Sequence, residues 1–338
     1  MKLILDPEPR TTAEIFRPAA LAALRQDFAV AEWTGGGDRD AFYARHLPDA
    51  GIVIGQQAMG RDRLDMAPGL RAIFNVETNF YPNVDYAECF RRGVHVLAPG
   101  AVFALPVAEM ALGMALSLAR NIHGAHADFA AGREAWGLAG NAGAELLTGA
   151  RVGIAGYGDL GRAVHRVLAG LAPVVQVFDP WLPDGHLRRL GVEPVPLERL
   201  MAENRVVFVT ATVTAESTKL IDRAAIARMP PGAMLLILSR AAVADFDALA
   251  EAAAAGRIRV ASDVWPEEPL APSSPLRRVP NMLFSAHRAG ALASALLEIG
   301  DRVLEDARLI RAGLPPVSCR RAERETVGRM QSKPVERT

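Results

Sequence analysis

Two cysteines, Cys89 and Cys319, occur in 338 residues. They lie far apart and outside any paired metal-ligand spacing, which gives no support to a disulfide framework or a zinc site and fits a reducing, cytoplasmic setting. Charge of one sign is also missing. The 38 lysines and arginines balance 38 aspartates and glutamates, so no net field draws the chain to nucleic acid or to an anionic membrane. Long apolar runs are scarce. "PVAEMALGMALSLA" is interrupted by Glu109 and falls short of a membrane span, and "MKLILDPEPR" meets acid and proline too soon for a signal peptide. The expectation is a soluble protein with a small-molecule partner, no nucleic acid, no membrane and no metal.

What is present is apolar content: half of the residues are hydrophobic, enough for more than one core at this length. Short β-rich runs alternate with amphipathic helical segments from end to end. "KLILD", "GIVIG", "RAIFNV" and "VHVLA" come first, then "RVGIAGYG", "VVQVFD", "VVFVTA", "AMLLILS", "IRVASD" and "NMLFSA". This alternation predicts an α/β fold with parallel sheets covered by helices. A helical pattern over about 104–130 separates the two groups, and a final helix is predicted over about 291–312. The polar stretch beyond it has few large apolar residues and reads as a fraying tail.

"RVGIAGYGDLGRAV" places Gly156, Gly158 and Gly161 after an apolar strand and at the start of a helix. Gly156 permits the tight turn, Gly158 lets backbone amides approach a pyrophosphate, and Gly161 brings helix and sheet together, with the phosphates at the positive end of the helix dipole. The next strand ends in Asp179, eighteen residues past Gly161, where a carboxylate accepts hydrogen bonds from an adenosine ribose and repels a 2′-phosphate. NAD, rather than NADP, is the expected cofactor.

Three more residues stand at or just beyond strand ends, the edge where open α/β sheets bind ligands. "AMLLILSR" ends at Arg240, "IRVASDVWPEEPL" carries Asp263 and Glu268, and "NMLFSAHRAG" carries His287. An arginine can hold a carboxylate and polarise the carbonyl beside it. A histidine can move the proton that accompanies hydride transfer, and a nearby glutamate stabilises its imidazolium. Singly, each has an ordinary explanation: a strand-end cap, a solvated acidic turn at Glu267 and Glu268, a satisfied core imidazole. Their order behind a dinucleotide loop favours the chemical one.

With "GYGDLG" and Asp179, "SR" at 239 and 240, "DVWPEEPL" from 263, "AHRAG" from 286 and "PVAEMALGMALSLAR" in the long helix, the chain resembles the D-isomer-specific 2-hydroxyacid dehydrogenase family over roughly residues 1–316. The resemblance implies two Rossmann-like domains, the cofactor domain (104–287) inserted into a discontinuous, flavodoxin-like substrate domain (1–103 and 288–316), with 317–338 left as a flexible tail. It implies Arg240 on the substrate carboxylate and carbonyl, His287 as acid/base and Glu268 as its partner. It further implies cofactor contacts from Asp159, Leu160, Thr210, Leu238 and Asp263, and a homodimer built partly on the long helix. The substrate would be a 2-hydroxy or 2-oxo acid. Two alternatives stay open: an NAD(H)-sensing binding protein of the corepressor type, and a related dehydrogenase acting on formate or phosphite.

The substrate loop departs from the family pattern. In "NVETNFYPNVD" the residues Asn83, Val84 and Asp85 match, but Thr78 and Phe80 stand where two glycines are usual, which removes glycine's freedom at positive φ. Thr78, Asn79, Phe80 and Glu77 are the candidate substrate contacts, with the amides of Asn79 and Phe80 as anion donors. Glu77 is unexpected beside a carboxylate site, because like charges repel. It points either to a substrate larger or more polar than lactate, or to an arginine partner.

Overall fold

The computed structural model describes residues 1–77, 79–171 and 173–330. The chain forms two compact units, one of Met1–Phe103 with the described residues from Ala291 onward, the other of Ala104–Gly290. In the first, the early apolar runs become strands β1 (Lys2–Asp6), β2 (Ala29–Glu32), β3 (Ala50–Gly55), β4 (Ala72–Asn75) and β5 (His95–Ala98), parallel and ordered β5-β4-β3-β1-β2. Side chains alternate across this sheet as the pleat requires. Leu3, Leu5, Ile52, Ile54, Ala72 and Phe74 enter one core cluster, while Ile4, Val53 and Ile73 enter the other. The helix Ala293–Arg311 covers the first face with Ile299, Val303, Ala307 and Ile310, spaced by three or four residues. Its Gly300 lies so close to the chain at Ile15 that a Cβ there would stand 2.5 Å from the Ile15 carbonyl oxygen.

The second unit holds strands β6 (Arg151–Ala155), β7 (Val174–Phe178), β8 (Glu193–Pro194), β9 (Val206–Val209), β10 (Ala233–Ile237), β11 (Ile258–Ser262) and β12 (Met282–Phe284). They form one parallel sheet in the order β12-β11-β10-β9-β6-β7-β8. The chain leaves β6 toward β7 and later returns to its other side at β9, so the strand order reverses at the strand that feeds the glycine loop. That reversal opens a crevice at the strand ends. The helical pattern over 104–130 is two helices, Ala104–Arg120 and Ile122–Ala130, because Asn121 takes a left-handed φ of 49° and interrupts the first. By length and composition the 21 residues Gly100–Arg120 are apolar enough to cross a bilayer, a longer run than the interrupted segment suggests from sequence. Its Ala108, Ala111, Ala115 and Leu118 are instead buried in the core of the second unit.

The expected flexible tail over 317–338 needs correction. Asp306, fully buried in the Ala293–Arg311 helix, accepts the amides of Val317, Ser318 and Cys319 at 2.7, 2.9 and 2.7 Å. The chain then adds β13 (Arg320–Arg321) antiparallel to β5, pairing Arg320 with Ala98 and Arg321 with Leu97. Order here comes from one buried carboxylate and backbone pairing, neither of which leaves an apolar signature. Residues 331–338 lie outside the described residues.

Asp85 caps the helix Tyr86–Arg92 by accepting the Glu88 amide. Glu88 itself is nearly covered by arginines: Arg91 at 2.5 Å, Arg61 at 2.7 Å, and Arg92. The bond from Arg91, then those from Arg92 and Arg61, hold its carboxyl at about 2, below the ordinary 4.5. A carboxyl depressed on folding stabilises fully above its unfolded value and loses that contribution as pH falls through the folded value. Glu88→Gln is therefore expected to lower the melting temperature at pH 7, with the gap to the parent protein closing between about 4.5 and about 2; calorimetry across that range measures it.

Candidate active site

The carboxyl edge of the second sheet is built by one repeated device: each strand's last carbonyl takes an amide from the residue that follows the neighbouring strand. Gly156 N–H donates to Phe178, Thr210 to Ala155, Leu238 to Val209, Asp263 to Ile237 and Ser285 to Ser262, at 2.8–3.2 Å. These bonds carry the β ladder past the strands and fix where each loop starts. They set Gly156, Thr210, Leu238, Asp263 and the approach to His287 along one edge.

At the reversal point the glycines differ in what surrounds them. A Cβ on Gly156 (φ +91°) would stand 2.6 Å from the Ala211 backbone, and one on Gly161 would stand 2.2 Å from the Gly156 carbonyl oxygen. At Gly158, which caps the helix Asp159–Leu168, a Cβ would meet nothing within 4 Å. The loop is thus tight behind and bare in front, and beside it lie the first-turn amides of Asp159 and Leu160, which have no acceptor among the described residues, a backbone surface suited to a pyrophosphate. Thr210 stitches the loop down, its hydroxyl donating to the Gly156 carbonyl at 2.5 Å. Asp159 pairs with Arg162 at 2.5 Å, and the Leu160 side chain packs against the core. Leu238 is buried there too, so what it offers at the edge is backbone.

Asp179 directly follows β7, and backbone amides hold both its oxygens: Tyr157 donates to Oδ2 at 2.7 Å and Trp181 to Oδ1 at 2.9 Å. Each oxygen keeps a further lone pair for a ribose hydroxyl. A cavity of about 270 Å³ lined by Phe178, Asp179, Pro180, Val195 and Pro196 opens beside it. These features fit a dinucleotide. Tyr157, between the first two glycines, is buried with its hydroxyl 2.6 Å from His165 Nδ1. Burial pushes the phenol up and the imidazole down, which keeps both neutral near pH 7. The sequence assigns no role to this pair, and a tyrosine inside the glycine motif is its only signal.

His287 stands three residues past β12 with φ +48°, an unusual backbone for a residue with a side chain. Asp263 builds that turn. Its carbonyl accepts the His287 amide at 2.7 Å, and its carboxylate, 1% exposed, accepts the amides of Arg288 and Ala289 at 3.0 Å each. The imidazole Nδ1 is 2.6 Å from Glu268 Oε2, and Glu268 Oε1 accepts the Trp265 amide at 2.8 Å. Trp265 also donates its indole N–H to the Ser285 carbonyl at 2.7 Å and stacks on Phe284. It locks the two loops that carry Glu268 and His287, a role that sequence reasoning missed although the residue lies inside the quoted "DVWPEEPL". An ionised carboxylate only accepts, which assigns the Nδ1 proton to His287 and leaves Nε2 for other work.

Arg240 stands three residues past β10. β10 and β12 flank β11, so the two loops rise from strands roughly 10 Å apart. Arg240 is half-buried and donates to the Ser239 carbonyl at 2.7 Å; among the described residues of this unit no carboxylate pairs with it. Arg240, Glu268 and His287 therefore share one sheet edge with the glycine loop.

The substrate-loop candidates belong to the first unit, after β4. Thr78 lies outside the described residues. Phe80 requires correction: its ring is 3% exposed, sits in the core edge-on to Tyr86, and its amide donates to Asn79 Oδ1 at 2.9 Å. It packs the loop, because an aromatic ring in place of glycine gains more from burial than from solvent. Asn79 also accepts Asn75 Nδ2 at its carbonyl, 3.3 Å away. Glu77 does have an arginine partner: its Oε1 lies 2.7 Å from Arg10 Nε.

The model of the D-isomer specific 2-hydroxyacid dehydrogenase NAD-binding domain matches residues 112–289, more than half of the chain. The chain belongs to this family. Among solved structures it is similar to a phosphoglycerate oxidoreductase from Rhizobium etli, with 45% identity, a TM-score of 0.88 and coverage of 96% of this chain and 100% of the other. The D-3-phosphoglycerate dehydrogenase of Mycobacterium tuberculosis is 30% identical over 304 residues, which is 89% of this chain but 56% of the relative, so the chain spans just over half of that protein's length. The hydroxypyruvate reductase of Thermotoga maritima is 28% identical over 77% of this chain and 84% of its own. The second unit of this family member is accordingly its NAD-binding domain, and the glycine loop with Asp179 is the part that fits the cofactor.

Asp263→Ala would strip the acceptor from two amides of the His287 turn. The expected cost is about 1–3 kcal/mol of stability, read from the denaturant midpoint against the parent protein; an unchanged midpoint would show that the turn stands without it.

Proposed function

We propose that this chain is an NAD-dependent oxidoreductase that interconverts a 2-oxo acid and the corresponding D-2-hydroxy acid. The observation that carries the reading is the His287–Glu268 pair on the same sheet edge as the dinucleotide loop, two strands from an arginine without an acidic partner among the described residues of its unit. Bound NAD supplies or accepts the hydride. Arg240 binds the substrate carboxylate and polarises the adjacent carbonyl. His287 Nε2 gives a proton to the carbonyl oxygen in reduction and takes it from the hydroxyl in oxidation, while Glu268 stabilises the charged imidazole and fixes its tautomer. Asp263 holds His287 at its working position.

His287→Asn is expected to lower kcat by about 10²–10⁴-fold, the usual worth of a positioned acid/base, while NADH still binds in fluorescence titration. Near-normal turnover by this variant would remove the mechanism. A parent protein that turns over no 2-oxo acid, yet changes its assembly state with NADH, would favour a sensor instead.

We also propose that the active form is a cytoplasmic homodimer. Ile122, Phe129, Trp136, Leu138 and Leu146 follow the long helix and are all more than half exposed, with Phe129 and Trp136 in edge-on contact. So much apolar surface in one segment favours a protein partner, and a second copy is the simplest. Light scattering after gel filtration is expected to give twice the chain mass, and Trp136→Asp should shift the balance to monomer; a monomeric parent would refute the dimer.

A further inference from the structure

The glycine loop and the carboxylate beside it share one residue that the mechanism above does not use. Tyr157 stands between Gly156 and Gly158, and its partners Asp179 and His165 lie with it in the second unit. A residue flanked by two glycines has little local restraint, because glycine opens backbone conformations that other residues avoid. Tyr157 supplies the restraint through its side chain. The ring is 2% exposed and packs in the core that holds Val164, Leu168 and Val177. Its hydroxyl lies 2.6 Å from Nδ1 of His165, on the helix Asp159–Leu168 that the loop feeds. A buried phenol is costly without a hydrogen-bond partner, so this contact fixes the far end of the side chain to that helix.

At its near end Tyr157 meets Asp179. Its amide donates to Oδ2 at 2.7 Å, reaching from the end of β6 to the end of β7. The second hold on that carboxylate, the Trp181 amide at 2.9 Å, belongs to the same turn as Asp179 and moves with it. Among the described residues, Tyr157 is thus the one donor from another element that orients this side chain, and no lysine or arginine pairs with it. No cation offsets the charge of Asp179, and one amide sets its direction. Direction matters because the carboxylate has two tasks, accepting from ribose hydroxyls and repelling a 2′-phosphate. Both weaken if it swings aside, since a hydrogen bond fades steeply with poor alignment.

We propose that Tyr157 is a positioning residue for cofactor choice: anchored by its hydroxyl to His165, it holds its amide where Asp179 is aimed at the ribose, and so sets how strongly the protein prefers NAD(H) to NADP(H). This role lies wholly within the NAD-binding domain and is independent of which acid is turned over.

Calorimetric titration of the full chain with NADH and with NADPH tests it, with the melting temperature of each variant read alongside. The parent protein should bind NADH about tenfold or more tightly than NADPH, because the carboxylate repels the added phosphate. Tyr157→Phe keeps the ring and loses only the hydroxyl. It should weaken NADH about three- to tenfold, the worth of one hydrogen bond, with NADPH changing less, so that the preference narrows. His165→Asn, which sets an amide in the place of Nδ1, should retain most of the preference, whereas His165→Leu should narrow it as Tyr157→Phe does. In an Asp179→Ala background, Tyr157→Phe should no longer alter NADH affinity, since the residue acts through that carboxylate. Equal weakening of both cofactors, or an undiminished effect in the Asp179→Ala background, would mean that Tyr157 shapes the pyrophosphate cradle and overturns the proposal. A melting temperature that falls while both affinities stay at the parent values overturns it too, as a purely structural role would produce. A parent protein without preference for NADH refutes both the task given to Asp179 and the role of Tyr157.

Discussion

Asp263 follows β11 directly with a carboxylate 1% exposed to solvent, and its two oxygens face the amides of Arg288 and Ala289. Burying an ionisable group is costly unless its lone pairs are used, and here they are used to bend the chain after β12 into the left-handed backbone on which His287 sits. Everything proposed for the imidazole depends on that mount. Glu268 can meet Nδ1 only because the turn presents the ring edge toward it, and Nε2 is left over for the same reason. Trp265 then ties the Glu268 loop to Ser285, so the His287–Glu268 pair is held from both strands.

The fold was legible because period and punctuation carry it. Fully apolar runs of four to six residues between helical segments can be satisfied only as covered parallel strands, and the strand that feeds the glycine loop is where the order reverses. Local backbone events escaped. A left-handed Asn121 splits what the hydrophobic pattern presents as one helix, because the apolar spacing continues through the break. The segment after Pro316 escaped for a related reason. Asp306 draws it in through main-chain amides, and an aspartate spaced among apolar helical positions looks like any solvent-facing acid.

The site divides along the same line. The gathering of Gly156, Gly158, Gly161, Asp179, Arg240, Glu268 and His287 along one sheet edge was readable because each proposed chemistry demands a residue type at a strand end, and topology does the rest. Asp263 was readable as a carboxylate at the sheet edge but not as the builder of the turn, since a carboxylate that accepts backbone amides leaves no side-chain partner to find. In the first unit the reading settled on the loop after β4 and chose Phe80 for its position, whereas its ring is packed into the core. Arg10 was invisible, because its pairing with Glu77 joins residues 67 positions apart in different loops.

The short strand Arg320–Arg321 has a bearing on how the protein behaves in a crowded solution. β5 would otherwise present an open row of peptide groups, a template on which a second chain can lay down its own strand. Two paired residues with exposed cationic side chains close that row at Leu97 and Ala98. Any foreign strand approaching there meets like charge and occupied peptides, so a segment that contributes little apolar surface still guards the sheet against self-association.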